Sequence, residues 1–253
     1  RMPAEWEKQQ STLIGWPHNK NDWPGMFKNI PNVFAKIISK ITETQKVNLL
    51  IKNSTSENTV KKLLKKNNAK IRNVKFIVCK TDRVWMRDTG PIFIKDKKNK
   101  NILLDWKFNG WAKYKNYRAD NKVSLNIKNH YKGSIISPKF NKKSIVLEGG
   151  SIDVNGKGLL LTTKECLLSK IQQRNSFLKI KDYNHIFKKF FGVKKIIWLN
   201  KGIEGDDTHG HVDDIARFVK YNKVFLAYES NKKDKNFKNL DENFKILKKI
   251  RIN

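Results

Sequence analysis

An α/β fold built from repeated helix–strand–hairpin units is the architecture this sequence predicts, and three observations predict it. Apolar stripes at helical spacing alternate with short β-branched runs along the chain. Most of these runs lead at once into an acidic or glycine-bearing motif, and then into two apolar segments joined by a polar turn. No Pro/Ser/Gly-rich linker interrupts the series, so residues 1–253 read as a single domain.

The first unit is short: an extended segment at residues 11–16, a helix around Phe34, Ile37, Ile38 and Ile41, and a strand over residues 47–51. In the next, Val60, Leu63 and Leu64 form a helical stripe and residues 74–78 a strand. The motif Trp85-Met86-Arg87-Asp88-Thr89-Gly90-Pro91 follows, and then a hairpin pairing residues 92–94 with 102–104. The second full unit has a strand at 144–147, then Glu148-Gly149-Gly150, and a hairpin of 151–154 with 159–162 that turns at Asn155-Gly156. The third has a helix at 183–191 with Gly192 as its C-cap, a strand at 196–199 and an acidic stretch at 205–214. Its hairpin joins 215–219 to 224–228. Residues 240–250 are again helical in pattern. Units that cannot bury their own apolar faces stack on one another into a ring. A ring ending on a helix with no following strand is expected to be incomplete.

Composition narrows the function. The net charge is +31, yet 46 of the 54 basic residues are Lys and only 8 are Arg, scattered through every predicted element. Nucleic-acid readers concentrate Arg and aromatics on one surface. A solvated basic surface, with no nucleic-acid partner, is therefore the expectation. No apolar run approaches ~18 residues and the opening residues carry no apolar leader, so no membrane partner and a cytoplasmic location are expected. Cys79 and Cys166 read as reduced, buried thiols. More telling is where basic residues are missing. Residues 202–216 contain no Lys or Arg but hold Glu204, Asp206, Asp207, Asp213 and Asp214, and residues 144–156 hold only Glu148 and Asp153 as charges. Two acidic islands in a basic chain attract a cation, either a metal or a cationic substrate.

The segment Gly205-Asp206-Asp207-Thr208-His209-Gly210-His211-Val212-Asp213-Asp214 is the richest in chemistry. If Asp213 starts a strand, His211 and Asp213 share a face, and an imidazole beside a carboxylate is a tuned acid/base pair. Three readings remain open here. The run is similar to the His-x-His-x-Asp-His pattern of metallo-β-lactamase-like hydrolases, but Asp214 stands where a His is needed and no His follows His211. It can also be a polar structural turn. The third reading is a cationic-substrate site. For that site, Asp88, Glu148, His211 and Asp213 follow successive strands and would converge in a ring. Paired carboxylates are the strongest partners of a planar, permanently charged guanidinium.

The motifs Met2-Pro3-Ala4-Glu5-Trp6-Glu7, Gly15-Trp16-Pro17-His18-Asn19, Trp85–Pro91, Glu148-Gly149-Gly150-Ser151-Ile152 and Gly205–Asp214 occur in the order seen in agmatine deiminases and their bacterial peptidylarginine deiminase relatives. The resemblance spans almost the whole chain. It implies the pentein fold, an α/β propeller of five units, of which about the first three to four would be present. It also implies a reaction. A Cys thiolate attacks the guanidinium carbon, ammonia leaves, and water releases a ureido product from the amidino-thioether; no metal or organic cofactor is needed. By motif, Asp88 and Asp213 resemble the carboxylates that grip the guanidinium. Glu148 resembles the pocket carboxylate beside the catalytic His, and His211 the general acid/base. Trp85 falls within the substrate-binding motif. An acidic pocket in a basic protein also suits a dication, and Asp206 or Asp207 is expected to face the distal amine of agmatine. The family's nucleophile lies in a Gly-rich segment ending in His-Cys, and neither Cys79 nor Cys166 has that setting. The sequence therefore reads as a piece lacking its nucleophile. A homo-oligomer is left open.

Overall fold

The computed structural model describes residues 1–251, and they form two compact α/β units. The smaller comprises Lys8–Gly90 and Asn116–Tyr131, and the larger Arg1–Glu7, Pro91–Lys115 and the chain from Lys132 onward. No helix among the described residues is long and apolar enough to cross a membrane.

In the smaller unit, strands β1 (Ser11–Gly15), β2 (Lys46–Ile51) and β3 (Val74–Val78) form a parallel sheet in the order β1-β2-β3. The central strand β2 is buried along nearly its whole length, as a parallel strand covered on both faces must be. Its alternation assigns the layers. Val47, Leu49 and Ile51 pack with Ala35 and Ile38 of α1 (Ile30–Thr42) and Val60 and Leu64 of α2 (Glu57–Lys66). Leu50 points the other way, to Ile77 and to Val123 and Ile127 of α4 (Val123–Ile127), a helix that sequence reading does not foresee. The short helix α3 (Met86–Thr89) lies within the Trp85–Pro91 motif.

Segment 116–131 does more than cover the sheet. The fully buried Asp120 accepts from the backbone N–H groups of Asp82 (2.8 Å) and Arg83 (3.1 Å). Asp82 in turn accepts from the Ala119 N–H (2.7 Å), and Arg83 pairs with Asp22 (2.6 Å). These bonds fix the chain just ahead of Trp85. Burial pushes the Asp120 carboxyl up to about 7, against the pull of the two N–H groups. The sign follows. The unfolded chain ionises Asp120 at lower pH than the folded protein does, so the folded state loses stability as pH rises from about 4 to 7. Asp120→Asn keeps one carbonyl acceptor without the charge. Its stability relative to the parent is expected to improve by about 1–3 kcal/mol between pH 5 and pH 8, as read from denaturant melts at each pH. Parallel profiles would show that Asp120 does not titrate in this range.

In the larger unit, β4 (Ile92–Lys95) and β5 (Asn101–Leu104) form the expected hairpin, and β6 (Ser134–Ile136) adds to β5 in parallel. The small ribbon β7 (Lys139–Phe140) and β8 (Lys143–Ser144) follows. The strand expected over 144–147 is mostly not a ladder strand. Lys107 meets Val146 in a single bridge, and the Asn175 side chain accepts from Val146 N and donates to Val146 O (2.9 and 2.8 Å). One amide side chain thus replaces a neighbouring strand, which no periodicity reveals. Strands β9 (Asp153–Val154) and β10 (Leu159–Thr163) pair antiparallel, and β11 (Lys195–Leu199) joins β10 in parallel. The turn between β9 and β10 is wider than two residues, because Asn155 Oδ1 accepts from both Lys157 N and Leu159 N (2.9 Å each).

Helix α5 (Lys164–Leu168) starts under a Thr163 cap. Helix α6 (Ile180–Phe191) ends at Gly192, whose φ of +67° gives the expected left-handed cap. It buries Tyr183, Ile186, Phe187 and Phe191 in the core beside Leu147, Leu160 and Cys166. The hairpin β12 (Ala216–Lys220) and β13 (Lys223–Leu226) and helix α7 (Phe237–Lys248) enclose a second core with Leu161, Leu199, Val212 and Leu240.

Candidate active site

The site in the larger unit is built on two turns, one within each acidic island. Glu148 is extended (φ −95°, ψ 147°) ahead of a 3-10 turn, Gly149–Ser151, and the Ser151 hydroxyl and N–H both donate to its carbonyl (2.6 and 3.2 Å). This turn aims the Glu148 side chain inward, where it is fully buried. Arg174, equally buried, meets it. Its Nε donates to Glu148 Oε1 (3.0 Å), its Nη1 to the Gln172 carbonyl (2.9 Å) and its Nη2 to the Thr208 carbonyl (2.6 Å). Burial alone would raise the Glu148 pKa. The charge of Arg174 and the neighbouring His211 outweigh it and hold the carboxyl at about 2.

The second turn is the 205–214 segment. Asp206 Oδ1 accepts from the N–H and hydroxyl of Thr208 (2.8 and 2.6 Å), and Oδ2 accepts from the N–H groups of Gly210 (2.6 Å) and His211 (3.2 Å). The loop passes through left-handed His209 (φ +61°) and Gly210 (φ +90°). A Cβ at Gly210 would come within 2.9 Å of the Glu165 side chain, and the Gly210 carbonyl accepts from the Thr163 hydroxyl. Delivered this way, the buried His211 ring lies between two carboxylates. Its Nε2 is 3.8 Å from Glu148 Oε2 and its Nδ1 is 3.9 Å from Asp213 Oδ1. The pairing is the one expected, but its cause differs. Residues Val212–Asp214 form a 3-10 turn, and the strand begins only at Ala216. A tight turn, not strand alternation, brings His211 and Asp213 together.

The structure thus gathers Glu148, His211 and Asp213. Asp88 and Trp85 belong to the smaller unit. There, Asp88 and Thr89 donate their N–H groups to the Trp85 carbonyl (3.0 and 3.1 Å), and the half-exposed Trp85 ring packs 5.6 Å from Trp23. The motif's setting is tied to the Gly15–Asn19 motif. His18 Nε2 meets the Thr81 hydroxyl (2.8 Å) and Asn19 donates to the Asp82 carbonyl (3.3 Å).

Asp206 and Asp207 lie on the 205–214 turn in different settings. Both Asp206 oxygens are engaged by its own loop, and Asp207 is exposed, bonded to Lys113 and to the Tyr114 hydroxyl (2.5 Å). Arg174 escaped the sequence reading altogether. Its signal was present, since it is one of few Arg in a chain that otherwise uses Lys.

Both cysteines are buried and unbridged. Burial pushes the Cys79 thiol up, which suits a packing residue. Cys166 lies under the site. Its sulfur and one ligand atom each of Glu148 and His211 fall within 4.8 Å of one another. This is a donor set for a thiophilic cation, but Glu148 already faces the guanidinium of Arg174.

The chain is 32% identical over 251 residues to a relative from Mycoplasma capricolum, covering 97% of this chain and 65% of that one. It is 30% identical over 256 residues to an agmatine deiminase of Pseudomonas aeruginosa, covering 99% of this chain and 66% of that protein. A C. jejuni agmatine deiminase variant with substrate bound matches with a TM-score of 0.84 at 32% identity, over 97% of this chain and 70% of that one. An Enterococcus faecalis agmatine deiminase matches with a TM-score of 0.86 at 26% identity, over 99% and 67%. The chain therefore spans about two thirds of the length of these relatives, and its fold is the pentein α/β fold that these deiminase structures share. The model of the Porphyromonas-type peptidyl-arginine deiminases matches residues 1–253, and the chain belongs to that family.

Proposed function

We propose that the protein carrying this chain hydrolyses agmatine to N-carbamoylputrescine and ammonia, a step that supplies putrescine. The observation that carries the proposal is the buried His211 set between Glu148 and Asp213, with Arg174 paired to Glu148. A guanidinium is a poor electrophile, so the reaction needs a held substrate and a placed proton carrier. Asp213, only partly buried, is the carboxylate able to reach a guanidinium N–H, and Asp88 is assigned the same task from its motif. His211 protonates departing ammonia and then takes a proton from the attacking water. The thiolate is supplied by the cysteine of the family's Gly-rich segment. Cys166, wholly buried beneath the pair, is a packing residue in this scheme. Two unbridged thiols suit a reducing, cytoplasmic compartment.

Ammonia release from agmatine, free arginine and a blocked arginine peptide by the full-length protein tests this. Agmatine is expected to be the preferred substrate. Turnover of the peptide with none of agmatine would move the assignment to a peptidylarginine deiminase. Asp88→Asn is expected to raise KM and lower kcat together, by about 10²-fold in kcat/KM, because a charge-assisted pair serves both ground and transition states. Kinetics indistinguishable from the parent would remove Asp88 from the site.

A further inference from the structure

We infer that Asp206 is a positioning residue for His211 and takes no part in holding the substrate's distal amine. The inference rests on the deiminase reading and deepens it. Four donors converge on this one carboxylate, and they come from Thr208, Gly210 and His211, the loop that carries the acid/base. Burial would raise the Asp206 pKa, but the Thr208 hydroxyl and the Gly210 and Thr208 N–H groups bring it below its ordinary value. The carboxylate is therefore the form the loop is built around. One bond goes to the backbone N–H of His211 itself. The loop runs through two successive left-handed residues, one of them a non-glycine, a path that needs bonds of this kind to hold it. Gly202 and Gly210 approach so closely that a Cβ on Gly202 would fall 2.9 Å from the Gly210 Cα, so the turn is seated against the segment that leads into it. On the outer side, the Thr208 carbonyl accepts from Arg174, the residue that also holds Glu148. Asp206 thus fastens the loop internally while Arg174 ties the loop to Glu148. Together they set the 3.8 Å spacing of Glu148 and His211. A distal amine would find every strong lone-pair direction of Asp206 already taken by a donor.

The test compares agmatine with n-butylguanidine, which has the guanidinium and no amine, using Asp206→Ala and Asp206→Asn in the full-length protein. A clamp predicts that Asp206→Ala lowers kcat by about 10²-fold for both compounds, with KM moved by no more than ~3-fold. Asp206→Asn, which retains one acceptor oxygen, is expected to recover about tenfold of that loss. An amine ligand predicts the opposite pattern: agmatine alone suffers, chiefly in KM, and this outcome overturns the proposal. Residue-resolved amide exchange supplies an independent readout. The N–H groups of Thr208, Gly210 and His211 are expected to exchange about tenfold faster or more in Asp206→Ala, while those of β10 and β11 do not change. Unchanged exchange in the loop also overturns the proposal. If the parent turns over neither guanidine, the agmatine reading fails, and the exchange measurement decides the clamp by itself.

Discussion

Replacing His211 by Ala in the full-length protein is expected to lower agmatine turnover by about 10²–10⁴-fold, the usual contribution of a placed general acid/base. The position of the ring makes the loss specific. The His211 imidazole is set between two carboxylates, and a buried ring cannot be replaced by solvent. Leaving ammonia without a proton donor, and water without a base, removes help from both halves of the reaction. The fold should survive. Arg174 still pairs Glu148, and Asp206 still holds the loop through Thr208 and Gly210. The cost is the contacts to Glu148 and Asp213 and a small cavity, about 1–3 kcal/mol. Circular dichroism and a melting curve separate the two effects. A folded variant turning over at the parent rate would take His211 out of the chemistry.

The sequence made the elements legible where periodicity decides them. Helix α6, its Gly192 cap, the β2 and β3 strands and the β12–β13 hairpin all follow from apolar spacing and turn chemistry. It failed where a side chain substitutes for secondary structure. Val146 is satisfied by the Asn175 amide, and Asp82 and Arg83 by the Asp120 carboxylate, contacts between residues 29, 38 and 37 positions apart. At the site, His211, Asp213 and Glu148 stood out because acidic islands in a basic chain are visible in one dimension. The division of labour among the carboxylates was not visible, because it depends on which oxygens the protein itself already uses. Glu148 is shared with Arg174, Asp206 is consumed by its loop, and Asp207 turns outward to Lys113 and Tyr114. Arg content carried more information than net charge. Where Lys supplies nearly all positive charge, an Arg marks a place needing a rigid fork of donors. Arg174 and Arg83 each bind partners in two or more directions at once.

Arg174→Ala is expected to have the largest effect on stability of any single change at the site, about 3–5 kcal/mol, or a fall in Tm of roughly 10 °C or more. The guanidinium donates to Glu148 and to the Gln172 and Thr208 carbonyls, which belong to segments that frame the site. Its removal leaves the Glu148 carboxylate fully buried without its cation. The pH dependence distinguishes this cause from simple loss of packing. In the parent, Arg174 and His211 hold Glu148 at about 2, from an ordinary 4.5, so its stabilising effect is complete above about 4.5 and fades as pH falls toward 2. Without Arg174, burial dominates, and the folded state favours the protonated acid. The folded pKa then rises above the unfolded one, so acidification stabilises the variant where it destabilises the parent. The deficit of Arg174→Ala is therefore expected to be greatest near pH 7 and to shrink as pH falls through 4. Adding Glu148→Gln should recover part of the loss at neutral pH, since no charge then remains to be left unpaired. A deficit that stays constant from pH 7 to pH 4, with no recovery in the double variant, would mean that Arg174 acts by filling space, and that Glu148 owes its charge to His211 alone.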